Sequence, residues 1–152
     1  MKIDLAPLQQ EKSFTCLPAA IRIVLRHFGV DFSEELIAQV CNTSERGTNI
    51  EEVAYGISGL GFKSFHFEEY GLPQLADYLD KNIPIIVALD VALLPYGDTG
   101  LHAVVVNELE GNEVAFVDPA LGMNMSLPLF TFFKAWDSRG RCGLIIQPKS
   151  NL

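Results

Sequence analysis

Apolar residues recur through the first third of the chain at spacings of three and four. Between Cys16 and Gly29, the residues Ala20, Ile21, Val24, Leu25 and Phe28 share one helical face, the period of an amphipathic helix. Pro18 suits a first helical turn, where its missing N–H would be unpaired in any case, and Gly29 is a C-terminal stop. The pattern predicts a helix that begins at or beside Cys16. "DFSEELIAQVC" predicts a second, with Ser33 as N-cap and Glu34 and Glu35 in its first turn. "TNIEEVAYGISGLG" predicts a third, opened by Thr48 and Glu51 as a capping box, with Ile50, Val53, Ala54 and Ile57 on one face. "GLPQLADYLDK" predicts a short fourth with Leu72, Leu75 and Leu79 inward, and "FKSFHF" before it has the make-up of a strand.

From residue 83 the texture changes. "PIIVAL", "HAVVVNEL" and "EVAFVD" are apolar, β-branched runs of strand length. The last two are separated by a turn around Gly111 and Asn112, which predicts a hairpin. "LPLFTFFKAW" predicts a helix starting near Pro128, and "CGLIIQ" a final strand. Helices dominate the first half and strands the second. This segregation predicts an α+β domain, N-terminal helices packed on a C-terminal, largely antiparallel sheet.

Composition narrows the class. A chain of 152 residues fits one domain, residues 1–152, with a core of ordinary size. Hydrophobic residues make up 49% of it, which excludes a disordered chain. Acidic residues outnumber basic ones by 19 to 11, for a net charge of −8, and no basic cluster supports nucleic-acid binding. The start, "MKIDLAPLQQEK", lacks the apolar stretch of a signal peptide. The most apolar run, Ile83 to Pro95, is too short to span a membrane and carries Asp90. The cysteines, Cys16, Cys41 and Cys142, form no C-x-x-C pair, which argues against a disulfide framework or a zinc ribbon. A cytoplasmic chain with free thiols is the expectation, with neither cofactor nor metal.

Against this background Cys16 stands out. The N–H groups and dipole at a helix N-terminus favour a thiolate. Of three histidines, His27 closes the first helix, where a cation suits the dipole, and His66 has no evident neighbour. His102 opens a strand just after the loop "PYGDTG", fixed yet accessible. Asp118 ends the next strand. If residues 102–109 and 112–118 pair antiparallel, His102 and Asp118 meet at the open end of the hairpin, across strands about 5 Å apart. A carboxylate there orients an imidazole. Cys16, His102 and Asp118 then supply nucleophile, base and orienting acid. Gln10, six residues before Cys16, has a side-chain donor for a developing oxyanion, with the Cys16 N–H as a second.

Gln10, Cys16 before a helix, His102 opening "HAVVV" and Asp118 before Pro119 together resemble the bacteriocin-processing, double-glycine leader peptidases, which are papain-like cysteine peptidases often joined to peptide exporters. The likeness runs from Gln10 to the "CGLII" strand, and Gly47-Thr48 before a helix shares it. It implies a papain-like fold, a stand-alone peptidase domain, a peptide or protein substrate, association with an exporter, and a thioester mechanism. Cys16 would be the nucleophile, His102 general base and acid, Asp118 orienter and Gln10 oxyanion donor. Transporter-linked members carry Asp-Cys-Gly around the nucleophile, where this chain has Thr15-Cys16-Leu17.

Three alternatives share these residues. A catalytically idle peptide-binding module uses the same fold. An acyl or peptidyl transferase differs only in the final acceptor. A metal site built from Cys16, His102 and Asp118 lacks any short-range ligand pair.

Overall fold

The computed structural model describes residues 2–97 and 101–149. In chain order its elements are α1 (Cys16–His27), α2 (Glu34–Val40), α3 (Ile50–Gly59), β1 (Phe62–Phe67), α4 (Leu72–Asp80), β2 (Ile85–Asp90), a single 3-10 turn (Val91–Leu93), β3 (Leu101–Glu110), β4 (Glu113–Asp118), β5 (Met123–Pro128), α5 (Leu129–Asp137) and β6 (Gly143–Pro148). The strands form one sheet in the order β1-β6-β2-β3-β4-β5, and every neighbouring pair is antiparallel. The architecture is α+β. The "PYGDTG" loop before β3 lies partly outside the described residues, at 98–100.

Helices cover both faces of this sheet. Phe28, the C-cap of α1, packs on Phe62 with ring centroids 6.0 Å apart. The register through His66, Leu144 and Ile86 places Phe62 on the same face as Val105. On α5, Phe132 packs on Phe116 at 6.3 Å, and Phe116 lies opposite Val106. Consecutive strand residues point to opposite faces, so α1 and α5 sit on opposite sides of β3. Val104, Val105 and Val106 are accordingly all fully buried. Each such side chain stabilises the fold by about 1.5–3 kcal/mol relative to exposure. A continuous valine run is what a strand covered on both sides requires.

Three local expectations change. The cap of α3 is Asn49, not Thr48: the Asn49 side chain accepts the Glu51 N–H, while the Thr48 hydroxyl is engaged with Thr43 Oγ1 at 2.7 Å. Ala54 is exposed, and Gly56 is buried beside Val53 and Ile57. A Cβ on Gly56 would stand 2.3 Å from the Val40 carbonyl oxygen, so the close approach of α2 and α3 needs glycine there. Finally, β5 was not anticipated. In "MNMSLP" only Leu127 is buried, because an edge strand with one half-covered face carries little apolar alternation.

Candidate active site

Cys16 is the first residue of α1, and Thr15 at the N-cap makes no side-chain cap. The segment before it is a tight turn. Lys12 N–H donates to Thr15 Oγ1 at 3.0 Å, Thr15 N–H donates to Lys12 O at 3.2 Å, and Thr15 Oγ1 lies 2.8 Å from the buried Glu34 carboxylate. The helix thus presents the thiol from a braced N-terminus toward β3.

The hairpin β3–β4 brings His102 and Asp118 together, though not through a regular ladder. Near the turn Glu110 pairs with Glu113 and Leu109 with Val114. Continued without interruption, that register would set Asp118 opposite Val105, on the face His102 does not share. The register shifts between Val106 and Glu108, leaving Asn107 unpaired, and beyond it Val106 faces Phe116 and Val105 faces Val117. Continued from there, Asp118 stands opposite Val104 and on the face of His102. The one-residue bulge flips the parity of the strand. The N-terminal segment holds it: Ile3 N–H donates to Asn107 O, and Asn107 Nδ2 donates to Ile3 O, both at 2.9 Å.

Asp118 is completely buried and His102 almost so. His102 Nε2 hydrogen-bonds Asp118 Oδ1, so Nε2 carries the proton toward the acid and Nδ1 is left for Cys16. Asp118 also accepts the Ala120 N–H at 2.9 Å and the Tyr96 hydroxyl at 2.8 Å. Burial pushes the Asp118 carboxyl up, but the His102 hydrogen bond and charge, with Tyr96 and Ala120, hold it below its ordinary value. Burial likewise pushes the His102 imidazolium down, and the Asp118 and Cys16 contacts override it, lifting the group to about 9. For Cys16, burial acts upward, while hydrogen bonds with the His102 ring and the Ala103 N–H, the charge of His102 and the Leu17 N–H bring the thiol below its usual value. Both shifts act in the direction of a thiolate beside an imidazolium.

The ring bonds the carboxylate through Nε2 and leaves Nδ1 for a second partner, the order a proton relay needs.

Gln10 flanks the same region. Its backbone N–H donates to Pro119 O at 2.8 Å, next to Asp118, and its Nε2 donates to Lys12 O at 2.9 Å. The side chain is half-buried, not simply solvated, and its Oε1 has no partner among the described residues. Among the described residues, the second N–H of the amide has no intramolecular acceptor. Among the described residues no hydrogen bond joins Gln10 to Cys16 or His102.

Cys16 opens onto a cleft of about 490 Å³. Its floor is sheet (Ile86, Ala88, Ala103 and Leu144), and one wall is the segment Arg46–Asn49. His66 and Cys142 also line it. His27 lies apart, with Nε2 donating to Asn82 O at 2.9 Å. Burial raises the Cys41 thiol to about 11 and also pushes Cys142 up. Two residues of the site carry no sequence signal: Tyr96, which lies in a loop with no periodic pattern, and Glu34, which reads as an ordinary first-turn acid.

A thiol at a helix N-terminus, facing a histidine and buried acid at the open end of an antiparallel hairpin, defines the papain-like class of α+β folds. The chain matches the model of the Peptidase C39 family over residues 4–151, and it belongs to that family. An uncharacterized protein of Methanothermobacter thermautotrophicus is 30% identical to it over 115 residues, which cover 76% of this chain and 72% of the relative. Among solved structures, the peptidase domain of Streptococcus ComA, a bifunctional ABC transporter of a quorum-sensing pathway, superposes with a TM-score of 0.77 at 22% identity, covering 95% of this chain and 98% of that one. A double glycine motif protease from an AMS/PCAT transporter, solved with its leader peptide, gives 0.75 at 20% identity, covering 97% and 94%. No helix among the described residues is long and apolar enough to cross a membrane.

Proposed function

We propose that this protein is a cysteine peptidase that cleaves a peptide substrate, of the double-glycine leader class, through a thioester. His102 Nδ1 takes the Cys16 proton, and the thiolate attacks the scissile carbonyl. The oxyanion is held by the second N–H of the Gln10 amide and by the Cys16 backbone N–H at the head of α1. Collapse expels the amine, which His102 protonates, leaving an acyl-Cys16 thioester. His102 then removes a proton from water for deacylation, and Asp118 keeps the ring in the tautomer that serves both steps.

The observation that carries this reading is the buried His102–Asp118 hydrogen bond together with Cys16 at the head of α1, the thiol held below its usual value and the imidazole raised to about 9. The substrate class is supported by the solved relative whose title names a double glycine motif and a leader peptide, and association with an exporter by the transporter origin of both solved relatives.

The test is mass spectrometry of synthetic peptides, with and without a Gly-Gly pair, incubated with the wild type and Cys16→Ser. Cleavage after Gly-Gly by the wild type alone supports the proposal in full. Cleavage elsewhere keeps the peptidase and refutes the substrate class. An intact peptide pool, together with Cys16 no more reactive to iodoacetamide than Cys41 or Cys142, would refute the enzyme reading.

A further inference from the structure

The buried carboxylate of Glu34 is not part of the Cys16, His102 and Asp118 set, yet it is 3% exposed and bonds Thr15, the residue before Cys16. Its Oε2 accepts two hydrogen bonds, from Glu11 N–H at 2.7 Å and from the Thr15 hydroxyl at 2.8 Å. Thr15 Oγ1 has one hydrogen and two candidate acceptors, since Lys12 O lies 2.9 Å away. The carbonyl is already occupied: its two lone pairs take Thr15 N–H and Gln10 Nε2. A carboxylate is also the stronger acceptor. The hydroxyl hydrogen therefore goes to Glu34, and Lys12 O stays available to Gln10.

We propose that Glu34 is a positioning residue for Gln10, acting through Thr15 and the Lys12 carbonyl to set where the Gln10 amide stands relative to Cys16. This rests on the reading of Cys16 as nucleophile and Gln10 as oxyanion donor. The first turn of α2 anchors the 11–15 turn from behind. That turn carries the thiol at one end and holds the Gln10 amide by its Lys12 carbonyl, while the Gln10 backbone is tied to Pro119 beside Asp118. Remove Glu34 and the Thr15 hydroxyl turns to Lys12 O and competes with Gln10 Nε2; remove the hydroxyl instead and the turn loses both its tie to Glu34 and the acceptor of Lys12 N–H, so Lys12 O is no longer held in place. Either change loosens the donor without touching His102 or Asp118.

Two reagents separate this role from general support. Alkylation of Cys16 by iodoacetamide displaces iodide at a saturated carbon and forms no oxyanion. Acylation by p-nitrophenyl acetate does: the thiolate adds to the ester carbonyl, the C–O bond breaks, p-nitrophenolate leaves, and a thioester remains. The ratio of the acylation rate to the alkylation rate at Cys16 therefore reads the oxyanion donors alone.

Glu34→Ala and Thr15→Val are expected to lower that ratio by about tenfold or more, the effect of displacing one hydrogen-bond donor. Glu34→Gln keeps one oxygen able to accept both bonds and Thr15→Ser keeps the hydroxyl, so each should stay near the wild-type ratio. If Gln10→Ala lowers the ratio and Glu34→Ala and Thr15→Val do not, the Glu34 role is refuted and the enzyme reading stands. Equal loss of both rates in those two variants also refutes it, because the whole helix end has then moved. If Gln10→Ala leaves the ratio unchanged, the oxyanion assignment falls and takes this role with it.

Discussion

Replacing Asp118 by asparagine removes a charge from a fully buried position and leaves its size unchanged. The His102 imidazole stands at about 9 against an ordinary 6.5, and it does so although burial alone would depress it. At about 1.4 kcal/mol per pH unit, that gap corresponds to roughly 3 kcal/mol of preference for imidazolium. The hydrogen bond to Asp118 is the leading upward contribution, and the Asp118 charge and Cys16 add the rest. In Asp118→Asn burial persists and the carboxylate does not, so the imidazole should fall well below 9, with only Cys16 left to raise it. Cys16 then loses the cation that lowers it, while its own burial still pushes it up. The assay is the rate of iodoacetamide alkylation at Cys16 across pH, resolved by peptide mapping. The midpoint should move up by at least about one pH unit in the variant, because the partner charge is lost near neutrality. With a substrate, the alkaline limb of hydrolysis, near 9 in the wild type, should shift to lower pH. Coincident alkylation profiles would mean that Asp118 does not govern the charge of His102, and the relay argument would fail.

Gln10→Ala should slow acyl transfer by about 10²–10³-fold, the usual effect of losing one oxyanion donor, with Cys16 alkylation nearly unchanged; retention of full turnover would refute the assignment. The raised His102 value also sets a stability window: imidazolium stabilisation is complete below 6.5 and lost as pH rises through about 9. Urea unfolding should therefore show the advantage of the wild type over His102→Gln shrinking between those limits, and a constant difference would contradict it. Gly56→Ala should destabilise by about 1–3 kcal/mol, since its Cβ would meet the Val40 carbonyl at 2.3 Å; an unchanged melting temperature would show that α2 and α3 can part freely.

Much of this architecture is readable from periodicity. The valine run of β3, the three-and-four spacing of α1, and the turn at Gly111 and Asn112 each report a local preference that the packing reinforces. What escaped depends on tertiary context. Thr48 and Asn49 are both competent caps, and only the Thr43 hydroxyl, brought close by the fold, decides between them. Tyr96 reaches Asp118 from a loop whose sequence has no period, and Glu34 is an unremarkable helix-start acid until the 11–15 turn covers it.

The hairpin shows most clearly where sequence reasoning needed something it did not contain. An antiparallel pair closed at Gly111 and Asn112 brings the ends of the two strands near each other in any register. Proximity is not orientation. With a regular ladder, Asp118 would share a face with Val105, and His102 would point to the other side of the sheet. The extra residue, Asn107, corrects the parity, and the correction is built into the core. Asn107 is 2% exposed and exchanges two hydrogen bonds with Ile3, itself buried. No local propensity marks the bulge, since its cause is a contact between residues 104 positions apart. The N-terminal segment, which reads as an irregular lead-in to α1, therefore has two structural tasks: Ile3 fixes the strand parity that aims His102 and Asp118 at each other, and Gln10 is tied back to the loop that follows Asp118.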